Sequence, residues 1–390
     1  MGTETMIPYI HQVQIRNYKS LDQVVVNLEP FTALVGPNGA GKSNFIDALA
    51  FVKDCLSESI EMALKRRGGI TAVRRYRGKG FPPRQMEFIF HLVLKNDLKA
   101  QFSFAIAAQS PRKFRVAKEY CSLQAKNRSY NYEVRDSKFI KPIHGINPKL
   151  KPDHLALFVA SATEEFQPVY EFLTSMRCYA IAPIRLRELQ DPDPGDYLQR
   201  DGSNAAAVLK RLKEAEGNGD RYERLCRLLA AVTEGITKID YWPVGPKETI
   251  GFKQEIGSAR SLDFGALNMS DGTLRALGVL LAVYQAGQHS LIAIEEPEAT
   301  VHPAATEVIV EVLLDAARQR QVLITTHSPD LLDKKDIQEG QLRVVSMEKG
   351  KTLISPLSPA SREAIRKRLY TPGELLRIDE LNADLKSGTV

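Results

Sequence analysis

The sequence predicts an α/β fold with a mixed sheet, split by a basic strand-rich and helical middle segment. Three observations predict it. The apolar run Phe31-Thr32-Ala33-Leu34-Val35 leads straight into the glycine-rich loop Gly36-Pro37-Asn38-Gly39-Ala40-Gly41. Behind that loop Phe45, Leu49, Val52, Leu56 and Ile60 mark one buried helical stripe. Far along the chain, apolar helical patterns over 273–286 and 304–318 lead into the strands Leu291-Ile292-Ala293-Ile294 and Val322-Leu323-Ile324-Thr325. Helix-strand alternation of this kind belongs to α/β folds, and the two ends of the chain are expected to build one domain.

The remaining elements follow in chain order. Tyr9-Ile10-His11-Gln12-Val13-Gln14-Ile15 alternates apolar and polar residues as a half-buried strand does, and Val24-Val25-Val26 follows a polar turn. Gly68-Gly69 stops the first helix. Residues 88–134 turn β-like and end in a Pro/Lys-rich linker over 141–152. Helical patterns fill 153–176, Cys178-Tyr179-Ala180-Ile181-Ala182 reads as a strand, and Asp191-Pro192-Asp193-Pro194-Gly195 as a loop. Ser203 is the expected N-cap of a helix over 205–216, and a second helix covers 220–233. The expected divisions are 1–84, 85–176, 177–340 and a C-terminal extension over 341–390.

With 390 residues, 43% hydrophobic and 26% charged, the chain can bury a large core and is not wholly disordered. Cys55, Cys121, Cys178 and Cys226 lie far apart, so neither a zinc ribbon nor a disulfide framework is expected and a cytoplasmic location fits. The start Met1-Gly2-Thr3-Glu4-Thr5 shows no secretion signal, and the longest apolar run, 276–287, is shorter than the ~20 residues that span a bilayer, so no membrane partner is expected. The net charge of +6 is unevenly placed: residues 65–151 hold 21 lysines and arginines against five acids. Residues 65–84 carry Lys65, Arg66, Arg67, Arg74, Arg75, Arg77, Lys79 and Arg84 with no acid. Such a run is either a solvated face or a surface for a polyanion, most simply nucleic acid.

Gly36-x4-Gly41-Lys42-Ser43 is a complete P-loop, placed after a strand and opening a helix. Backbone N–H groups of Gly36, Pro37's successors Asn38, Gly39 and Ala40, and Gly41 would cradle phosphate oxygens. Lys42 would reach the β- and γ-phosphates, and the Ser43 hydroxyl would ligate Mg²⁺. The strand 291–294 ends in Glu295 and Glu296. Glu295 is placed to hold the Mg²⁺ shell and Glu296 to polarise the attacking water, although aspartate is the commoner residue at the first of these positions. His327 follows the next strand, 31 residues after Glu296, and is expected to orient that water.

Four motifs come in the order found in ABC-type ATPase heads, and the chain resembles the SMC/RecF/OLD branch. They are the P-loop, Met269-Ser270-Asp271-Gly272-Thr273, Ile294-Glu295-Glu296-Pro297-Glu298 and Thr326-His327-Ser328. Ile15-Arg16-Asn17-Tyr18-Lys19-Ser20 and the stretch from Leu198 to Leu209 add to the likeness, which covers both ends and is weak across the basic middle. The resemblance implies a P-loop NTPase, an ABC-type head using ATP and Mg²⁺. Ser270 and Gly272 would cap the γ-phosphate bound to the opposite subunit of a homodimer or higher oligomer. Asp271 stands where glycine is commoner, residues 299–303 match the D-loop, and Gln85 is the Q-loop candidate.

No long coiled coil separates the halves, and the 63 residues after His327 leave no room for a TOPRIM nuclease. The expectation is therefore an ATPase switch acting on nucleic acid or a separate effector protein, in anti-phage defence or genome maintenance. A RecF-like DNA repair ATPase and a nucleotide-gated scaffold with negligible turnover are the rivals.

Overall fold

A computed structural model describes residues 7–75, 85–110, 113–126, 128–143, 148–214, 217, 219–256, 260–334 and 337–384. Three sheets organise it. The first is antiparallel, ordered β2-β1-β4-β5-β6-β7-β8. It comprises β1 (Tyr9–Tyr18), β2 (Leu21–Asn27), β4 (Gln85–Val93), β5 (Lys99–Ala108), β6 (Phe114–Gln124), β7 (Ser129–Arg135) and β8 (Lys138–Lys141). The second holds β10 (Ile236–Val244), β11 (Lys247–Ile256) and β12 (Arg260–Gly265). The third is ordered β16-β15-β3-β14-β13-β9, from β3 (Phe31–Val35), β9 (Arg177–Tyr179), β13 (Leu291–Glu295), β14 (Gln321–Thr326), β15 (Leu342–Glu348) and β16 (Lys351–Pro356). Its strands are parallel except for β16, so the sheet is mixed.

The central strands of the third sheet, β3, β14 and β13, are buried on both faces, which is why they read as short apolar runs. Alternate residues serve different cores. Leu34, Leu291, Ala293 and Leu323 pack with the helix Lys42–Ser57 and the first sheet. Ala33, Ile292, Ile294 and Ile324 pack on the other side with the helices Ala205–Glu214, Gly219–Val232 and Asp271–Tyr284. The period of two along each strand thus joins two cores into one sandwich.

Several elements differ from expectation. The basic segment 85–141 continues the sheet begun by β1 and β2, through β1–β4 pairing. Residues 342–356 supply β15 and β16 beside β3, because β15 pairs parallel with it from Leu342↔Ala33 to Val344↔Val35. The helical stretch after residue 153 is two short helices, Ala156–Ala160 and Gln167–Thr174, with Pro168 starting the second. The strands β10–β12 are not legible in the pattern, since Ile236–Val244 mixes Lys238, Asp240 and Pro243 with its apolar residues. No helix of the described residues is long and apolar enough to cross a membrane.

Candidate functional site

The loop after β3 turns on two glycines in the left-handed region, Gly39 at φ 78° and Gly41 at φ 102°. At Gly41 a Cβ would collide with Thr352 Oγ1, so the position accepts only glycine on both conformational and steric grounds. Thr352 Oγ1 donates to the Ala40 carbonyl at 2.9 Å, and Ser20 Oγ lies 2.6 Å from Thr352 Oγ1 and accepts from Asn44 Nδ2. The loop is thereby clamped between β16 and the β1–β2 turn. The helix Lys42–Ser57 starts without a side-chain cap, leaving its N-terminal partial positive charge turned toward the loop.

Lys42 is almost wholly buried and its Nζ donates to the carbonyls of Gly36 (2.6 Å) and Pro37 (3.0 Å). Burial pulls its pKa down, against the opposing pull of Glu296, Glu298 and Glu295. Ser43, Pro37, Asn38 and Gly39 are exposed. An exposed hydroxyl, a glycine-turned loop, an uncapped helix start and a cation folded against the loop fit a nucleotide phosphate with its Mg²⁺.

β13 and β14 are neighbours, so their C-terminal ends deliver Glu295–Glu296 and Thr325–His327 to one edge. Glu296 adopts φ 44°, a strained conformation for a residue with a side chain, held by its N–H donating to the carbonyl and hydroxyl of Thr325 (both 3.1 Å). Glu296 Oε1 lies 3.4 Å from His327 Nδ1, and both side chains are part exposed. The two residues named from sequence for water activation therefore meet.

Glu295 is differently engaged. Its Oε1 accepts from Arg200 Nη2 at 2.9 Å, and Arg200 Nη1 reaches Asp47 Oδ1 at 3.3 Å. Asp47 also binds Lys19 Nζ (2.6 Å), Arg67 Nε (3.0 Å) and the Tyr18 hydroxyl (2.6 Å). Burial pushes the Asp47 pKa up, but Arg67, Lys19 and Tyr18 outweigh it and bring the value to about 2. Sequence reasoning missed this cluster and quoted Arg200 without a role.

Glu298, also quoted without a role, is 7% exposed; one oxygen accepts from Thr326 Oγ1 and Oε2 has no partner among the described residues. Burial raises its pKa, although the Thr326 hydrogen bond opposes this.

Ser270 is exposed and N-caps the helix Asp271–Tyr284, its Oγ accepting from Thr273 N at 3.1 Å. A Cβ on Gly272 would stand 2.6 Å from the Thr300 carbonyl, so the helix start rests directly on the segment that follows Glu296. Asp271 is bound by Arg187. Gln85 heads β4 as an exposed residue whose carbonyl accepts from Asn17 Nδ2.

The basic run needs correction. Arg75 is buried, its Nη1 donating to the Ser20 carbonyl at 2.8 Å and its Nε 3.2 Å from Asp22. Arg67 belongs to the Asp47 cluster and Arg66 pairs with Glu58. Arg67 and Arg75 hold the fold because burial demands a partner for each charge, whereas the Arg66–Glu58 pair is on the surface. Arg77, Lys79 and Arg84 lie outside the described residues. A different basic row is on the surface: the register sets Lys118 opposite Arg135 and Arg135 opposite Lys138, all three exposed. Glu133 pairs with Arg135 at 2.7 Å.

The family described as "AAA domain, putative AbiEii toxin, Type IV TA system" matches residues 31–333, well over half of the chain. The chain belongs to this AAA-domain family. Among curated proteins, the chromosome partition protein Smc of Methanocaldococcus jannaschii is 43% identical over 44 residues, 11% of this chain and 4% of that protein. The DNA replication and repair protein RecF of Beutenbergia cavernae is 36% identical over 70 residues, 17% of this chain and 18% of that protein. The matched stretches are thus a small part of these relatives.

Among solved structures, an Smc head bound to the C-winged helix domain of ScpA superimposes with a TM-score of 0.55 at 15% identity, covering 90% of this chain and 99% of that one. A Pyrococcus furiosus Smc head with an extended coiled coil, bound to the C-terminal domain of ScpA, gives 0.50 at 13% identity, covering 93% and 100%. This AAA-domain chain therefore has the SMC-head fold.

Proposed function

We propose that the chain binds and hydrolyses ATP, closes as a dimer around two nucleotides, and uses that closure as a switch on nucleic acid or an effector protein. The meeting of Glu296 and His327 at 3.4 Å, on adjacent strands beside the P-loop, carries the reading. Lys42 and the loop N–H groups bind phosphate, and Ser43 with Glu295 would hold the Mg²⁺, which would neutralise phosphate charge when bound. Glu296 accepts the proton of the attacking water, and His327 orients it. Ser270 and Gly272, at an exposed helix start, contact the γ-phosphate held by the partner protomer.

The row Lys118–Arg135–Lys138 supports a polyanionic partner. Like charges set directly across a sheet repel unless something compensates them, and among the described residues only Arg135 of the three has an ion pair, with Glu133. Nucleic acid fits this row, and cytoplasmic anti-phage defence or genome maintenance fits the family. The scaffold reading, with negligible turnover, is favoured by Arg200 holding Glu295. Phosphate release, measured with and without DNA or RNA, decides: turnover supports the enzyme, and none under any condition supports the scaffold.

A further inference from the structure

We propose that the chain has a second anion site, for a small ligand with a terminal phosphate, at the sheet edge opposite the P-loop. A groove of about 970 Å³ opens there, bordered by Lys95, Arg177, Arg221, His289 and Arg320. Arg177 begins β9, His289 and Ser290 precede β13, and Arg320 precedes β14. These are the N-terminal ends of parallel strands whose C-terminal ends carry Glu295, Glu296 and His327. The length of β13, at roughly 3.3 Å per residue, separates the two sites.

Around the groove lie polar atoms short of hydrogen-bond partners among the described residues. His289 is 8% exposed, and among the described residues its ring nitrogens find nothing stronger than a weak pull from the Ala286 carbonyl. Arg320 Nη1 and Arg177 Nε are likewise buried without a partner. Four such atoms around one groove are far from the rule that buried polar groups are paired.

The charges are unanswered too. Burial first, then the Arg177 and Arg320 guanidiniums, push the His289 pKa down to about 4, against a weak opposing pull from the Ala286 carbonyl. Burial and neighbouring Arg221 lower that of Arg320. Among the described residues no carboxylate pairs with Arg177, Arg221 or Arg320. Glu171 is the acid on the groove, and its Oε1 accepts from Gln167 Nε2.

A phosphate answers all of this. Its oxygens accept from several N–H donors at once, and guanidinium forks suit it geometrically. Arg177 is already fixed: its Nη1 donates to the Thr174 and Met176 carbonyls, and its guanidinium lies 4.6 Å from the Tyr197 ring centroid. The unpartnered nitrogens lie just beneath the groove wall, so the exposed Lys95 and Arg221 meet the ligand first. A small terminal phosphate reaches Arg320 and His289 by a side-chain shift that a duplex backbone phosphate would not fit. Free phosphate and a mononucleotide share this chemistry, and the volume admits either.

Calorimetric titration of the full chain separates the sites. Inorganic phosphate and adenosine 5′-monophosphate are titrated into Lys42→Ala, which weakens the P-loop, and into the same variant carrying Arg221→Gln or Arg320→Gln. Lys42→Ala is expected to bind phosphate, and each added substitution to weaken binding about tenfold. Tighter binding of the monophosphate than of phosphate identifies a nucleotide ligand, and equal affinity identifies phosphate alone. Arg221 is exposed, so its variant tests the site even if Arg320→Gln misfolds. No saturation by either probe up to about 10 mM, or unchanged affinity in Arg221→Gln and a folded Arg320→Gln, overturns the proposal.

Discussion

Arg200 joins two carboxylates that lie 248 positions apart in the chain, donating to Glu295 Oε1 at 2.9 Å and to Asp47 Oδ1 at 3.3 Å. Asp47 is on the P-loop helix and Glu295 ends β13, so one guanidinium ties the nucleotide-binding helix to the strand beside it. Lys19 and Arg67 complete the cluster from the other side.

The first prediction concerns acid stability. The Asp47 pKa is brought from its ordinary carboxylate value to about 2, so the folded state binds fewer protons here than the unfolded one. Its stabilisation is present above about pH 4 and lost as pH falls toward 2, a contribution of roughly 2–3 kcal/mol. Asp47→Asn should be less stable at pH 7 and lose less on acidification. Equal acid dependence of both proteins in urea unfolding would contradict the cluster's role.

Arg200→Gln should release Glu295 from a competing cation. The Mg²⁺ concentration giving half-maximal ATP binding is then expected to fall about three- to tenfold, a range set by the modest worth of a half-exposed ion pair. Fluorescent-nucleotide titration against Mg²⁺ checks this. A rise instead would mean that Arg200 positions Glu295 for metal.

Lys42→Ala removes a buried cation aimed at the loop carbonyls and should weaken ATP binding about ten- to hundredfold. Calorimetry with ATP provides the measurement. Unchanged affinity would reject the P-loop as the nucleotide site.

How much of this was legible depends on distance along the chain. Gly36 to Ser43 is contiguous, and Glu296 and His327 each end an apolar strand, so local pattern alone places them at strand ends. Their meeting required β13 and β14 to be neighbours, which the order of motifs implied. The Arg200 bridge required β9 to flank β13, with the Arg200 carbonyl accepting from Ala180 just beyond it. No periodicity encodes that. Arg75 reads as one more exposed cation because composition counts charges and cannot show that the Ser20 carbonyl and Asp22 await one of them. The strands β10–β12 are short of apolar alternation because a bulge between Ile236 and Lys238 breaks the period of β10 and Ser261–Asp263 of β12 are exposed.

The surface row is tested by Lys118→Gln, Arg135→Gln and Lys138→Gln combined. Fewer counterions would be released on binding, so nucleic-acid affinity should drop and the slope of log affinity against log salt should fall by about two to three. Filter binding at several salt concentrations measures both. An unchanged slope would make this row a solvated face.

The final prediction joins chemistry to assembly. Ser270 is exposed at the start of a helix, and Gly272 rests on the Thr300 carbonyl, so any movement of the segment after Glu296 is felt at the helix start. In the proposed closed pair, each Ser270 touches the nucleotide of the other protomer, and the contact is self-complementary about a two-fold axis. ATP then stabilises the closed form by mass action, and hydrolysis withdraws that stabilisation. Glu296→Gln keeps side-chain size and a hydrogen-bonding oxygen near His327 but removes the carboxylate that takes the proton. It should bind ATP, release phosphate about a hundredfold more slowly or worse, and accumulate as an ATP-dependent dimer, or close more tightly if dimers already exist. Adding Ser270→Arg thrusts a long side chain at the opposing phosphate and should abolish that accumulation while the isolated head still binds ATP. Light scattering with and without ATP, run beside phosphate release, reads both effects. Normal turnover by Glu296→Gln would remove its catalytic role, and assembly indifferent to ATP would remove the shared nucleotide from the interface.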